Sequence, residues 1–544
     1  VLPSPATAQG IFTEAERDLL TAQGVELASG GKQKIFEEQF LIYRGLTRPS
    51  KGLWLTYAAN DAEGRELSPS SLIERLQRLD EGLQIEPMPA FDLEETAPAA
   101  VFHLLGGEMR KATAEAPLSP LWQDIYGFFD ENSHWQKHLS LLKQGIGKTA
   151  KPERLSPKTA QALYGKNIFS SVSRLERFAG CPFSFFAEYG LKAEERRLYQ
   201  LNTPDLGSLF HEVLELFSNK LEQDSLPWTS LTKEETTARI HAAVEDAAPR
   251  LGNRILLDSA ANQYLIRRLK RISTRAAWTL VQHLQQGDFV PAGYEVGFGA
   301  HEALPPIVIR LQDGGSLILN GKIDRVDLLD ANGTRYVKII DYKSGNKTFH
   351  FQDIYYGLQL QLLVYLDAYL KYYKKTGASF KPGGVFYFRI TDPTLALDEE
   401  LSAEAIEKIL YEKMRMSGLL LQEDVLIHGL DHSLAESRSS AIVPVGYTKK
   451  GDPTAASNLA TEEQYAAILD FVATRTQEIG DAMKAGIITP APYRDGQRTP
   501  CAYCSYRSLC RHSYGEAPRW RKLKKIDRAD FWESITPKQP PETE

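Results

Sequence analysis

Residues 316–345 read SLILNGKIDRVDLLDANGTRYVKIIDYKSG, and this stretch limits the possible folds more than any other. Two apolar, alternating runs flank Asp330-Ala331-Asn332-Gly333, the composition of a tight turn between antiparallel strands. The expectation is a hairpin, with one strand over 316–329 and the other running from Arg335 to the Ser344-Gly345 break. Period-two alternation sets Val337, Ile339, Asp341 and Lys343 on one face of the second strand. The hairpin would bring Asp324 of the first strand beside Asp341. Two carboxylates in one place repel unless a cation neutralises them, and Mg²⁺ or Mn²⁺ is the hard, oxygen-seeking choice. A metal-ligating acid with a lysine beside it is a pairing that phosphodiester hydrolysis can use. An Asp and a Lys near a strand end are by themselves ordinary solvated charges, so the flanking elements decide.

Three of those elements carry chemistry-bearing residues. Helical spacing of Leu206, Phe210, Val213 and Phe217 predicts a helix over 204–220, with Thr203 as N-cap and Pro204 at its first position. His211 sits on it. The segment YYGLQLQLLVYLDAYLKYY (355–373) predicts an amphipathic helix on which Gln361 and Tyr365, four apart, share a face. A strand over 383–390 (GGVFYFRI) follows. Glu295, in GYEVGF on an earlier strand, is a secondary candidate.

At 544 residues the chain is too long for one core. The segment FEEQFLIYRGLTRPSKGLWLTYA (36–58) predicts a helix ending near Gly45-Leu46, a turn at Pro49 to Gly52 and a strand over Leu53–Ala58. Residues 66–160 read as helical and linker-like, with boundaries at the prolines 87, 89 and 98 and at KPERLSPK. The net charge of −6 gives no global cue for nucleic acid, so any such contact falls to local runs. These are Arg267, Arg268, Lys270 and Arg271, and Arg519, Arg521, Lys522, Lys524 and Lys525. GIGKT (145–149) lacks the earlier glycine of a phosphate-binding loop, since that position is Leu142, and is assigned no nucleotide. No apolar run reaches the length of a membrane span and no signal peptide is seen, which points to a cytoplasmic chain. The first residue is Val1, so a C-terminal piece of a longer protein is expected.

Only four cysteines occur. Cys501, Cys504 and Cys510 form C-x2-C-x5-C, and Cys181 lies far upstream in RFAGCPFSFFAEYGL. By count, four thiolates suit a structural Zn²⁺ or an iron–sulfur cluster equally.

Taken together, His211, G-K-I-D-R-V-D with Asp324, D-Y-K with Asp341 and Lys343, and Q-x-x-x-Y with Gln361 and Tyr365 resemble the RecB-like branch of the PD-(D/E)xK nucleases in both order and spacing. The resemblance implies an α/β (α+β) fold and a Mg²⁺-dependent deoxyribonuclease of exonuclease type. Asp324, Asp341, Lys343, Gln361 and Tyr365 would be its catalytic residues. The ion would be held by His211, Asp324, Asp341 and the Tyr342 carbonyl. The cysteine layout and SRLERFAGCPFSFFAEYGL look like the nuclease subunits of AddAB-type helicase–nucleases. There a 4Fe-4S staple on the equivalents of Cys181, Cys501, Cys504 and Cys510 closes the nuclease domain. Residues 1–65 look like the end of a superfamily 1 helicase-like domain with Arg48 near nucleotide, 66–160 like a helical linker region, and 161–544 like the nuclease domain. The implied role is resection of double-strand breaks for recombinational repair, cutting the 5′-ended strand of double-stranded DNA ends and acting on single-stranded DNA beside a motor subunit, AddA. The alternatives are an inactive nuclease-fold DNA-binding scaffold and a stand-alone iron–sulfur exonuclease. The intact acid–acid–lysine set argues against the first, and the chain length against the second.

Overall fold

The computed structural model describes residues 12–25, 27, 31–60, 66–80, 82–86, 96–112, 117–146, 154–194, 203–250, 260–395, 401–510 and 520–536. Arg519, Pro87, Pro89 and most of GIGKT lie outside them. The chain divides into two compact units, 1–149 and 150–544.

The first unit is helical: α1 (Glu14–Ala22), α2 (Gly31–Thr47), α3 (Ser71–Leu79), α4 (Pro98–Lys111), α5 (Pro120–Glu131) and α6 (Ser133–Ile146). Its buried centre is small. Val101 and Leu105 of α4 meet Phe129 of α5 and Leu139 of α6, with Phe102 and Trp135 packed edge-on to Phe129 at 5.1 and 5.2 Å. The expected strand over Leu53–Ala58 is absent. The segment has no ladder partner among the described residues, and Trp54 in its middle is 92% exposed. Strand propensity without a neighbour to share hydrogen bonds leaves only a solvated chain. Arg48 is exposed just beyond α2.

The second unit opens with α7 (Pro157–Tyr164), β1 (Ile168–Ser170), α8 (Val172–Gly180) and the short α9 (Pro182–Phe185). Three long helices follow: α10 (Thr203–Gln223), α11 (Lys233–Ala247) and α12 (Ala260–Gln285). Then come β2 (Val290–Phe298), β3 (Ile307–Arg310), β4 (Ser316–Leu319), β5 (Gly321–Ala331) and β6 (Thr334–Lys343). Helices α13 (Phe351–Tyr355) and α14 (Gln361–Lys375) lead to β7 (Phe380–Arg389), α15 (Ala403–Lys413), β8 (Ser417–Leu421), α16 (Asp424–Leu430), β9 (Leu459–Ala460) and α17 (Glu462–Lys484). The tail holds β10 (Tyr493–Arg494), α18 (Arg507–Cys510), β11 (Arg521–Lys522) and α19 (Arg528–Ile535).

Six strands make the main sheet, in the order β2-β5-β6-β7-β8-β9. The β5–β6 hairpin closes through Asn332-Gly333, whose φ values of +52° and +75° give the turn that suits strand twist. Two expectations need correction. The apolar run 316–329 is two strands: β4 joins β1 and β3 in a separate sheet, and the chain crosses at Asn320-Gly321 into β5. The helix read over 355–373 is broken, because Gly357 turns at φ +74° and α14 starts only at Gln361.

Sheet alternation divides the motif D-R-V-D between two faces. Asp324 looks one way; Arg325 and Asp327 look the other, where Lys338 stands across from Asp327. There Arg325 Nε and Lys338 Nζ reach the Asp327 carboxylate at 2.6 and 2.8 Å, all three buried. His283 of α12 packs over the same face, its pKa pulled down to about 3 by burial and by the two cations. Helix α14 covers the face that carries Asp341.

Candidate active site

Register assembles the site. Continuing the β5–β6 pairing from Arg325–Ile340 sets Asp324 across from Asp341. On the other side, Tyr294 pairs with Arg325 and Val296 with Ile323, so Glu295 falls opposite Asp324. Three carboxylates, Glu295, Asp324 and Asp341, therefore stand in a row across three adjacent strands. Glu295 holds this place with a left-handed φ of +46°, a costly conformation for a residue with a Cβ and one found at functional sites.

Helix α10 brings His211 to the row. Gly207, one turn earlier, permits the approach, since a Cβ there would lie 3.0 Å from Ser344 Oγ just past β6. His211 Nδ1 then sits 3.3 Å from Asp324 Oδ2. Ligand atoms of His211, Glu295 and Asp324 fall within 4.8 Å of one another, the one such group of three among the described residues. His211 and Glu295 border an open cleft of about 710 Å³, also lined by Glu215, Arg250 and Ser344, and Asp324 is buried behind them.

The electrostatics are those of acids short of positive charge. Burial, then the charges of Asp324 and Glu215, push Glu295 up to about 7. Burial and Asp324 push Asp341 up to about 6, against the pull of Lys343. Burial works to neutralise His211, yet the hydrogen bond and charge of Asp324, with Asp341 behind it, raise its pKa. A site that holds protons this way favours a bound cation, and its nitrogen and oxygen donors fit a divalent ion.

Lys343 Nζ lies 2.6 Å from Asp341 Oδ2, and Gln361 Nε2 donates to Asp341 Oδ1 at 2.8 Å. The Gln361 carbonyl faces Lys343 Nζ at 3.5 Å. Asp324 Oδ2 also accepts from the Tyr342 amide at 2.5 Å. Tyr365, one turn beyond Gln361, is buried instead. Its hydroxyl lies where a Cβ on Gly321 would come within 2.1 Å, and its ring stacks on Phe298 at 5.6 Å. Sequence reasoning passed over Glu176 of α8. Its Oε1 accepts from the Leu360 and Gln361 amides at 2.8 and 3.1 Å, and its Oε2 meets Lys347 Nζ at 3.2 Å.

The chain matches the PD-(D/E)XK nuclease superfamily over residues 170–511, a span that contains every residue of this site. It belongs to that superfamily. The chemistry of PD-(D/E)XK nucleases implies a divalent metal, and the donors assembled here fit one. Residues 96–145, nearly all of α4 to α6, match the fifth domain of the ATP-dependent helicase/deoxyribonuclease AddB. Similar curated proteins are named as subunits of an ATP-dependent helicase/deoxyribonuclease. That of Alkaliphilus oremlandii is 38% identical over 543 residues, covering 98% of this chain and 47% of that protein. That of Alkaliphilus metalliredigens is 39% identical over 517 residues, covering 94% and 45%. The chain thus spans about half the length of these relatives.

None of the four cysteines of this PD-(D/E)XK superfamily member is in a disulfide, and Cys501 is close enough to Cys181, Cys504 and Cys510 for their charges to be felt. Cys181 ends α8 and is buried, while Cys501, Cys504 and Cys510 lie in the tail. Burial raises the Cys181 thiol, and the charge of Cys501 adds to the effect. Cys501 is raised by burial first and feels Cys504 and Cys510 in turn. Hydrogen bonds tie the tail to this place. Arg521 donates to the Ala179, Gly180 and Ala491 carbonyls, and Tyr506 Oη donates to Ala193 O at 2.9 Å. Arg521 is therefore a structural residue rather than part of a solvated basic run. In the other run, Lys270 pairs with Glu245 at 2.6 Å and Arg271 with Asp392. No described helix is long and apolar enough to cross a membrane.

Proposed function

We propose that this chain is the nuclease-bearing part of an AddB-type protein, a divalent-metal-dependent exonuclease acting on DNA ends beside a motor subunit, AddA, in the cytoplasm. The reading rests above all on the row Glu295–Asp324–Asp341, with His211 and Glu295 bordering an open cleft at one end and Lys343 at the other. His211, Asp324 and Asp341, with Glu295 joining them and the Tyr342 carbonyl nearby, would hold Mg²⁺ or Mn²⁺. When bound, the ion supplies charge stabilisation at the scissile phosphate and a more acidic water. Lys343 offers a fixed cation where negative charge builds in the transition state. Gln361 holds the Asp341 carboxylate and keeps its own carbonyl toward Lys343.

The relatives are named as subunits of an ATP-dependent helicase/deoxyribonuclease, which supports DNA cleavage beside an unwinding activity. We extend this to processing of double-strand breaks, with cutting of the 5′-ended strand here and unwinding supplied by the partner. The tail's attachment beside Cys181 supports a 4Fe-4S staple on Cys181, Cys501, Cys504 and Cys510. By count the four thiolates suit a structural zinc ion as well, and an iron and sulfide assay separates the two.

The test is Asp341→Ala and Lys343→Ala, assayed on end-labelled linear DNA with Mg²⁺. Each should lower the turnover rate by about 100- to 1000-fold while leaving binding to the DNA end largely intact. Near-parental cutting by Asp341→Ala refutes the site.

A further inference from the structure

We infer that Glu176 is a positioning residue for the nuclease reaction, acting through Gln361; the inference rests on the function proposed above. A helix starts with amide N–H groups that have no partner inside it, and a side chain just before the helix ordinarily caps them. Helix α14 has no such cap, because the preceding residue is Leu360, which offers no acceptor. The cap comes from 184 residues away in sequence: Glu176 Oε1 accepts from both the Leu360 and Gln361 amides. The carboxylate also sits where the positive end of the helix dipole favours it. Its second oxygen is held by Lys347 at 3.2 Å, and the side chain is only 13% exposed.

The first residue of this capped turn, Gln361, bridges Asp341 and Lys343. Its amide has two chemically distinct ends, and both are in use: nitrogen on the carboxylate at 2.8 Å, oxygen toward the ammonium at 3.5 Å. Glu176 hydrogen-bonds to neither Asp341 nor Lys343, although Lys343 feels its charge, and it fixes the backbone from which Gln361 reaches both. The segment before α14 turns at Gly357 and supplies no hydrogen-bonding side chain to the helix start. Losing the carboxylate therefore leaves the Leu360 and Gln361 amides unpaired at a buried helix start and loosens the backbone that carries Gln361. A displacement of about 1 Å in a positioning group can cost about 100-fold in rate.

The experiment is a double-mutant cycle on the full chain with Mg²⁺ and linear DNA, using E176A, Q361A and the pair, together with amide hydrogen exchange over residues 358–364. Glu176→Ala should lower kcat by about 10- to 100-fold with KM nearly unchanged and should speed exchange at 360 and 361. In the Q361A background the same change should cost little more, because its effect runs through the missing side chain. Glu176→Gln keeps an acceptor for the two amides and should recover part of the rate. If E176A does not fold, the cycle is run with E176Q. Additive losses, or parental exchange at 360 and 361, overturn the inference. If Q361A and Asp341→Asn both cut like the parent, the nuclease reading falls and this one with it. If those two are impaired while both Glu176 variants cut normally, only the role of Glu176 is lost.

Discussion

Replacing Asp327 by Asn tests the buried face of the D-R-V-D strand. The carboxylate answers two cations at once, with Arg325 Nε at 2.6 Å and Lys338 Nζ at 2.8 Å, and none of the three reaches solvent appreciably. Charge centres about 4 Å apart attract by ~4 kcal/mol at an effective dielectric near 20, so the two pairs contribute ~8 kcal/mol gross. Most of that only offsets the desolvation of three buried ions. Asparagine removes the attraction but leaves both cations out of water, over the Trp228 and Phe289 rings at 4.7 and 4.6 Å. Lys338 can limit the loss by shedding its proton, since burial already depresses its pKa despite Asp327. Arg325 has no such escape. The net cost should be about 3–5 kcal/mol, the range for breaking one side of a buried pair.

Urea unfolding followed by circular dichroism at neutral pH would show this as a midpoint lowered by roughly 1 M. The control is Asp330→Asn, which breaks the solvent-exposed pair with Arg335 and should leave the midpoint in place. Burial works against ionisation of Asp327, but Arg325 and Lys338 prevail and hold its pKa below the ordinary carboxylate value. Its contribution is thus complete above the unfolded-state pKa near 4 and is lost as pH falls through the lower folded value. The gap between parent and variant should therefore persist from pH 8 to 5 and narrow only in stronger acid. A midpoint for Asp327→Asn indistinguishable from that of Asp330→Asn would refute the reasoning.

The remaining expectations concern the metal and the cysteines. Because Asp341 and Glu295 are pushed up to about 6 and 7, the metal-free fold is favoured below the unfolded carboxylate pKa values and loses that stability as pH rises through the folded ones. Mg²⁺ should therefore raise the melting temperature more at pH 8 than at pH 5, and Glu295→Gln should shrink that difference; equal increments at both pH values would contradict it. His211→Ala should move the Mg²⁺ midpoint for cutting upward, and an unchanged midpoint with normal rate would mark an ordinary core histidine. Cys181→Ala should lower iron content and protease resistance of the tail together, whereas full iron with unaltered resistance would mean that Cys181 is only a buried thiol.

What was legible in the sequence is what short-range chemistry controls. Asn332-Gly333 can adopt two successive left-handed conformations, and that turn alone sets the register that brings Asp324 opposite Asp341. Helical spacing was enough to put His211 and Gln361 on helices, and their order along the chain did the rest. What depends on distant partners was not legible. The alternation over 316–329 contains no hint that half of it pairs with β1 and β3, since the other Asn-Gly, at 320–321, marks a change of sheet rather than a turn. The start of α14 was misplaced because its cap, Glu176, belongs to another helix. Glu295 was underrated because its place depends on a left-handed residue within a strand, which propensity argues against.

The acids of this strand pair also show how chemistry and architecture can be told apart when both are buried. Asp327 and Asp341 are both buried, and each has a basic residue two positions away on its own strand, Arg325 and Lys343 respectively. Asp327 finds more positive charge than it carries, and its proton affinity falls. Asp341 shares its surroundings with Asp324 and has one lysine in contact; its affinity rises, as does that of Glu295 beyond it. The first arrangement is complete as the chain folds and gains nothing from a ligand. The second leaves negative charge under-compensated behind a cleft that Glu295 lines, so its stability should improve when a cation arrives. A fold that only needed these residues for packing would have neutralised them as it neutralised Asp327. The direction of the shift agrees with the proposal that Asp341 and Glu295 face a cation, while Asp327 is neutralised within the core.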